Sequence, residues 1–260
     1  MPKRSSHVIS GQLPLHEASG KVCVNIATPA YGGSFSAPYL HSLFATLTDG
    51  KARDIGFSFA TVDVADIVLA RNYLLSKFYF HQPRCSHILF VDDDMGFDAS
   101  LLFDMLALEQ DVVGVISPRR KLDLRKLHAS RETDFDKAYA EACSFIGKPV
   151  GPGPVPGFPE VKQCGTGILL ISRQAITTMI GACPDIVDER RHRNIPLGKE
   201  FDRFLTPFSR ITLADRELSE DLSFCHRWTE QCGGRIYAST AARVAHVGQL
   251  NVVSRYMDLG

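Results

Sequence analysis

Short apolar, β-branched runs alternate with longer stretches of helical spacing over the first 116 residues, and nothing else in the chain restricts its fold as strongly. Residues 21–28 form one such run and stop at Pro29-Ala30-Tyr31-Gly32-Gly33, which reads as a buried strand ending in a tight loop. Residues 37–47 follow as a predicted helix and 56–62 as a second strand. Residues 64–80 carry Ile67, Val68, Leu74, Leu75 and Phe78 at mostly helical spacing. A third strand is predicted at 87–91, and Asp98 is placed to cap a helix through 109. Residues 112–116 read as the next strand. This order predicts an α/β fold, a mixed but mainly parallel sheet flanked by helices in a single domain.

The regularity then stops. Residues 117–161 are basic at first and end in a Gly-Pro-Gly-Pro-Val-Pro-Gly run that suits neither a helix nor a central strand. Residues 166–172 resume as a strand with a helix after it, and 184–216 are charged and irregular. Ser219 is placed to cap a helix reaching Gln231, closed by Gly233-Gly234, with a last short strand at 235–238. The chain shows no internal repeat. The expected organisation is a mobile arm over 1–20, one domain over 21–248 and a tail over 249–260. Within the domain, 21–116 form the nucleotide-binding half and 117–248 the acceptor side. Loops as long as 117–161 and 184–216 are usually functional or disordered, so at least one is expected to order over a ligand.

The formal net charge is zero, which argues against a general affinity for nucleic acid or anionic membranes; an acidic ligand must be held by local groups. No apolar run approaches a membrane span, and the N-terminus lacks the apolar core of a signal peptide. The expectation is a cytoplasmic protein whose membrane association, if any, is peripheral. The seven cysteines include no C-x-x-C pair and are odd in number, which predicts buried free thiols in a reducing compartment.

The third strand runs straight into Asp92-Asp93-Asp94. On an extended segment Asp92 and Asp94 would share a face and Asp93 would oppose them. Ligands of open α/β sheets bind at the carboxyl ends of strands, where paired carboxylates can hold a divalent cation against a diphosphate. The plain alternative is an Asp-rich turn. Three clustered acids nonetheless repel one another unless a cation or donor lies between them.

Each companion motif has a plain alternative of its own. Thr28-Pro29-Ala30-Tyr31-Gly32-Gly33 admits a base or ribose, or is an ordinary turn. It is not a P-loop, since no G-K-[ST] follows. Arg71 suits a diphosphate, or faces solvent from its helix. Glu220 and Asp221 favour a helix dipole, or supply a catalytic base. His246 is a half-buried histidine, or a further ligand to a cation, which would favour Mn²⁺ over Mg²⁺ modestly. Gly165 and Gly167 allow close backbone approach to a sugar, or simply turn the chain into its strand.

Taken in order, Thr28-Pro29, Ala70-Arg71-Asn72, Phe90-Val91-Asp92-Asp93-Asp94-Met95, Gly165-Thr166-Gly167, Ser219-Glu220-Asp221 and His246-Val247-Gly248 resemble the GT-A glycosyltransferases, especially bacterial and phage members related to family 2. The resemblance covers roughly residues 22–248 and departs over 117–161. It implies a Rossmann-like GT-A fold and a nucleoside-diphosphate sugar donor, with UDP the first choice, together with Mn²⁺ or Mg²⁺. Asp92 would contact the ribose or the metal, Asp94 would ligate the metal and His246 would complete its shell. Thr28, Pro29, Tyr31, Arg71, Asp93, Gly165 and Gly167 would line the donor. Asp221, positioned by Glu220, would be the base of an inverting transfer to a hydroxyl of an acceptor left open among a glycan, a lipid-linked molecule and a protein. The competing readings are a nucleotidyltransferase that makes nucleotide sugars and an inactive nucleotide-sugar-binding protein.

Overall fold

The computed structural model describes residues 22–189, 194, 196–214 and 216–248. The arm over 1–20 and the tail over 249–260 lie outside them. The first half runs β1 (Cys23–Pro29), α1 (Ala37–Ala52), β2 (Gly56–Val62), α2 (Ile67–His81), β3 (His87–Val91), β4 (Met95–Phe97), α3 (Ser100–Ala107) and β5 (Val112–Val115). The middle adds β6 (Ser117–Leu122), α4 (Leu124–Ala129), α5 (Phe135–Ala142), β7 (Cys143–Ile146), β8 (Pro149–Gly151), β9 (Glu160–Val161), β10 (Ile168–Ser172) and α6 (Arg173–Ala182). The end adds four two-residue strands, β11 (Val187–Asp188), β12 (Phe204–Leu205), β13 (Thr212–Leu213) and β14 (Arg216–Glu217). It closes with α7 (Glu220–His226), β15 (Ile236–Ser239) and β16 (Val244–His246).

The main sheet has the order β2-β1-β3-β10-β5-β15-β9-β8. β2, β1 and β3 pair in parallel, as do β5 and β15, whereas β10 lies antiparallel between β3 and β5, and β9 antiparallel between β15 and β8. The expected mixed α/β sheet flanked by helices is present, with only β9 and β10 reversed. The chain leaves β1 toward β2 and returns through α2 to β3 on the other side of β1. The carboxyl ends of β1 and β3 therefore flank a topological switch point, where open α/β sheets leave a crevice. Because β10 runs the opposite way, its amino end, just after Gly167, opens onto the same edge.

The layers follow from side-chain alternation on β3. Ile88 and Phe90 face one core with Leu74 and Phe78 of α2, Ile176 of α6 and Phe224 of α7. Leu89 and Val91 face the other core with Tyr39 of α1 and Leu102 and Met105 of α3. Asp66 caps α2 by accepting from the amides of Val68 and Leu69. Ala70 to Phe78 are all buried, so the middle of α2 is enclosed on every side. This makes α2 the central strut of the domain.

Several expectations are corrected. Asp98 does not cap α3: Ala99 is already helical, and Asp98 contributes only its carbonyl, which accepts from Leu101 N–H at 3.0 Å. The first helix runs five residues beyond 47, through Gly50, where a Cβ would meet the Phe57 ring at 2.2 Å. Residues 117–161 are not irregular throughout. β6 and β7 pair with a register shift and enclose α4 and α5, while β8 and β9 complete the sheet edge. The shift and the mostly exposed strands erase the period-two pattern that would have announced them. Cys23 and Cys85 form a disulfide between the starts of adjacent strands, while the other five cysteines are free. The Ser219 cap and the helix through Gln231 are as expected, α7 continuing into a π-turn over Arg227–Gln231.

Because Leu74 is fully buried in the strut, Leu74→Ala is expected to lower stability by about 2–5 kcal/mol. Urea unfolding measures this, and a loss near zero would mean that α2 is not central to the core.

Candidate active site

β3 ends at Val91, and the chain turns at once, with Met95 N–H donating to the Asp92 carbonyl at 3.0 Å. Strand alternation therefore does not carry on through the three acids, and the expectation that Asp92 and Asp94 share one face is corrected. Asp92 lies toward α2. Arg71 Nη2 donates to Asp92 Oδ1 and Oδ2 at 3.3 Å each, and Arg71 Nη1 donates to Glu220 Oε1 at 2.8 Å. The same Nη1 also pairs with Asp221 Oδ1. Arg71 thus neither faces solvent nor stands free for a phosphate. Burial alone would lower its pKa, but Asp92, Asp221 and Glu220 raise it above its ordinary value.

The Ser219 cap sets the start of α7 and so delivers Glu220 and Asp221 to this point. Thr166 donates to Asp221 Oδ1 at 2.6 Å. A Cβ on Gly165 would lie 3.9 Å from Asp221 Oδ2, and one on Gly167 would lie 3.4 Å from Asp92 Oδ2. Both glycines therefore line the acid cluster. Thr166 lies within Gly165-Thr166-Gly167, but nothing local in the sequence marks its hydroxyl as a partner of Asp221.

Asp94 has different partners. Arg120 Nη1 pairs with its Oδ2 at 2.9 Å, and His246 Nε2 stands 3.6 Å from its Oδ1. That Oδ1 is buried and makes no hydrogen bond. β16 pairs with β4, which sets His246 opposite Met95 and hence beside Asp94. The imidazole is fixed from behind, since Nδ1 lies 2.7 Å from the Pro118 carbonyl, an acceptor only, so Nδ1 carries the proton and Nε2 faces Asp94. Asp94 raises the His246 pKa above its ordinary value. Arg120 was not anticipated; its only signal was the basic start of 117–161.

Asp93 lies between the two groups, and its carboxyl is pushed up to about 6 by burial and by the neighbouring Asp94 and Asp92 charges. The remaining expected residues stand apart from these contacts. The Thr28 hydroxyl is fully buried and lies 2.7 Å from that of Tyr39. Pro29 ends β1, buried, and Tyr31 projects into solvent from the loop beyond it. Among the described residues no three His, Cys, Asp or Glu side chains converge as a ready-made metal site.

No known protein family matches the chain in sequence, and no curated protein does. The crystal structure of A197 from STIV is similar to it with a TM-score of 0.47 and 16% identity, over 88% of this chain and 86% of that one. The crystal structure of a glycosyltransferase involved in the glycosylation of the major capsid of PBCV-1 gives a TM-score of 0.31 and 9% identity, over 68% and 73%. The fold is established by strand order and direction, not by these likenesses.

Two outcomes follow from the electrostatics. Removing Arg71 leaves three acids without their buried counter-charge, so Arg71→Ala is expected to cost about 3–5 kcal/mol in urea unfolding. Arg71→Lys should recover only part of that, because an ammonium cannot span three carboxylates. The second concerns Asp93, whose folded pKa of about 6 exceeds its ordinary 3.8, so its ionisation opposes folding. The penalty is absent below pH 3.8, grows up to pH 6 and is complete above it. Measured in EDTA, Asp93→Asn should be more stable than the wild type at pH 8, and the difference should vanish toward pH 4. A difference independent of pH would contradict the crowding of these charges.

Proposed function

We propose that this chain is a divalent-cation-dependent glycosyltransferase that moves a sugar from a nucleoside-diphosphate donor, UDP being the first choice of nucleotide, to an acceptor hydroxyl. One observation carries the reading. Asp92, Asp93, Asp94, Glu220 and Asp221 crowd the carboxyl end of β3 against the guanidinium groups of Arg71 and Arg120, and Asp94 Oδ1 is buried without a hydrogen bond, facing His246 Nε2. Such an excess of acid calls for a cation, and Asp94 Oδ1, without a hydrogen bond and 3.6 Å from His246 Nε2, would suit one held by Asp94 and His246. The remaining positions would be left to donor phosphate and water.

A cation bound there would neutralise the diphosphate as it leaves. The side chains do the rest. Arg71 and Thr166 pin Asp221 through Oδ1, which leaves Oδ2, beside Gly165, to accept the acceptor proton. Glu220 steadies Arg71 rather than touching the proton. Asp92, held through both oxygens, orients the start of the turn that carries Asp94. Tyr31, exposed after β1, would cover the nucleotide base in this reading. A single displacement with Asp221 as base inverts the anomeric carbon.

A panel of nucleotide sugars tested for Mn²⁺-dependent hydrolysis or transfer checks the proposal. Asp94→Asn should abolish turnover with little change in the urea midpoint. Asp221→Asn should slow transfer by about a hundredfold or more while donor binding survives. Full activity in EDTA or in Asp94→Asn would overturn the cation assignment, and retention at the anomeric carbon, read by proton NMR, would overturn the single displacement. Pyrophosphate release from a sugar phosphate and a nucleotide would instead favour a nucleotidyltransferase.

A further inference from the structure

The two arginines at the acidic turn are held in different ways. The Arg71 side chain is 4% exposed and is shared among Asp92, Glu220 and Asp221. The Arg120 side chain is 60% exposed and, among the described residues, pairs with Asp94 alone, through Nη1 to Oδ2 at 2.9 Å. It sits on β6 where the register with β7 shifts between Pro118 and Leu122, so no regular ladder fixes its backbone. Its stem lies against Gly248, where a Cβ would come within 3.2 Å of Arg120 Cβ. The Val247 amide donates to the Asp94 carbonyl at 2.8 Å. His246-Val247-Gly248 therefore wraps the Asp94–Arg120 pair as a unit: imidazole and amide meet Asp94, and the glycine leaves room for the arginine. The charge of Arg120 reaches beyond Asp94, opposing both the rise of the Asp93 pKa and the protonation of His246.

We infer that Arg120 is a resident counter-charge that a divalent cation must displace from Asp94, and that it thereby sets how tightly the cation binds before any nucleotide arrives. The inference rests on the cation reading given above. The two oxygens of one carboxylate are so close together that a guanidinium on Oδ2 and a divalent ion on Oδ1 repel each other strongly. One of them has to give way. Arg71 cannot, because its release would leave Asp92, Glu220 and Asp221 without their buried counter-charge. Arg120 can, because its side chain already stands largely in water and a pair of that kind contributes little. With the cation gone, Arg120 returns and offsets the repulsion among Asp92, Asp93 and Asp94 that would otherwise go unanswered. One arginine is thus fixed and builds the site, while the other is exchangeable and guards it. Arg120 lies within 117–161, where the resemblance to the GT-A glycosyltransferases departs, so that pattern assigns it no role.

The test is Mn²⁺ binding to the full chain without nucleotide, read from the electron paramagnetic resonance signal of the free ion. Arg120→Gln should bind Mn²⁺ on the order of tenfold more tightly than the wild type. Arg120→Lys, which keeps the charge, should stay close to the wild type. Arg119→Gln removes an equal charge from the exposed neighbouring position and should give a much smaller gain. Asp94→Asn added to Arg120→Gln should erase the gain, which places the ion at Asp94. The urea midpoint of Arg120→Gln in EDTA should move little, since the lost pair is largely exposed on the arginine side. Equal affinity in the wild type and Arg120→Gln, or an equal gain in Arg119→Gln, would overturn the inference and leave the cation reading standing. Failure of every form to bind Mn²⁺, with UDP present as well as absent, would overturn the cation reading and the inference with it.

Discussion

Arg71 is the contact on which the rest of the site depends. It is buried in the middle of α2 and holds Asp92 from the end of β3 together with Glu220 and Asp221 from the start of α7, 149 and 150 residues further along the chain. A buried guanidinium is costly to desolvate and is tolerated only where carboxylates compensate it. The three acids in turn could not share so small a space without it. The two halves of the domain are therefore joined by charge where the end of β3 meets the start of α7, and by apolar packing around Phe90 and Phe224. Neighbouring side chains reinforce the joint: Asn72 accepts from the Phe208 amide at 3.0 Å, and Ser76 accepts from that of Leu205 at 2.9 Å.

Topology explains why these residues meet at all. β1 and β3 end together at the switch point, and the reversed β10 brings Gly165-Thr166-Gly167 to the same edge. The short β4–β16 pair, outside the main sheet, then folds His246 back beside Asp94. Acid is thereby concentrated on two sides of one turn: Asp92, Glu220 and Asp221 share the single guanidinium of Arg71, while Asp94 pairs with Arg120 and keeps one buried oxygen without a hydrogen bond. That unbonded oxygen is the reason the proposed cation is given to Asp94 rather than to Asp92.

Much of this was legible in the sequence wherever local signals and tertiary structure agree. The strands at 56–62 and 87–91 were readable from short apolar runs, and the start of α7 from Ser219, because burial and capping act on neighbours in the chain. The acids at 92–94, 220 and 221 were also readable as candidates. The role of Arg71 was not, since nothing within one turn of α2 distinguishes a solvent-facing arginine from one that bridges three distant carboxylates. Asp98 misled because a residue suited to capping stood two positions ahead of the observed helix start. The β6–β7 hairpin escaped notice because its strands are largely exposed and its register shifts. The Cys23–Cys85 disulfide was hidden by a sequence separation of 62 that only the pairing of β1 with β3 closes.

The most direct test of the proposal that the acids crowded at the carboxyl end of β3 form a cation-assisted donor site is a crystal structure grown with UDP and MnCl₂ and measured at the manganese absorption edge. The account requires an anomalous peak bonded to Asp94 and His246 and to the UDP phosphates, with Arg71 still holding Asp92, Glu220 and Asp221. Ordered UDP in the crevice without manganese at Asp94, or both ligands bound away from the carboxyl ends of β1 and β3, would contradict it.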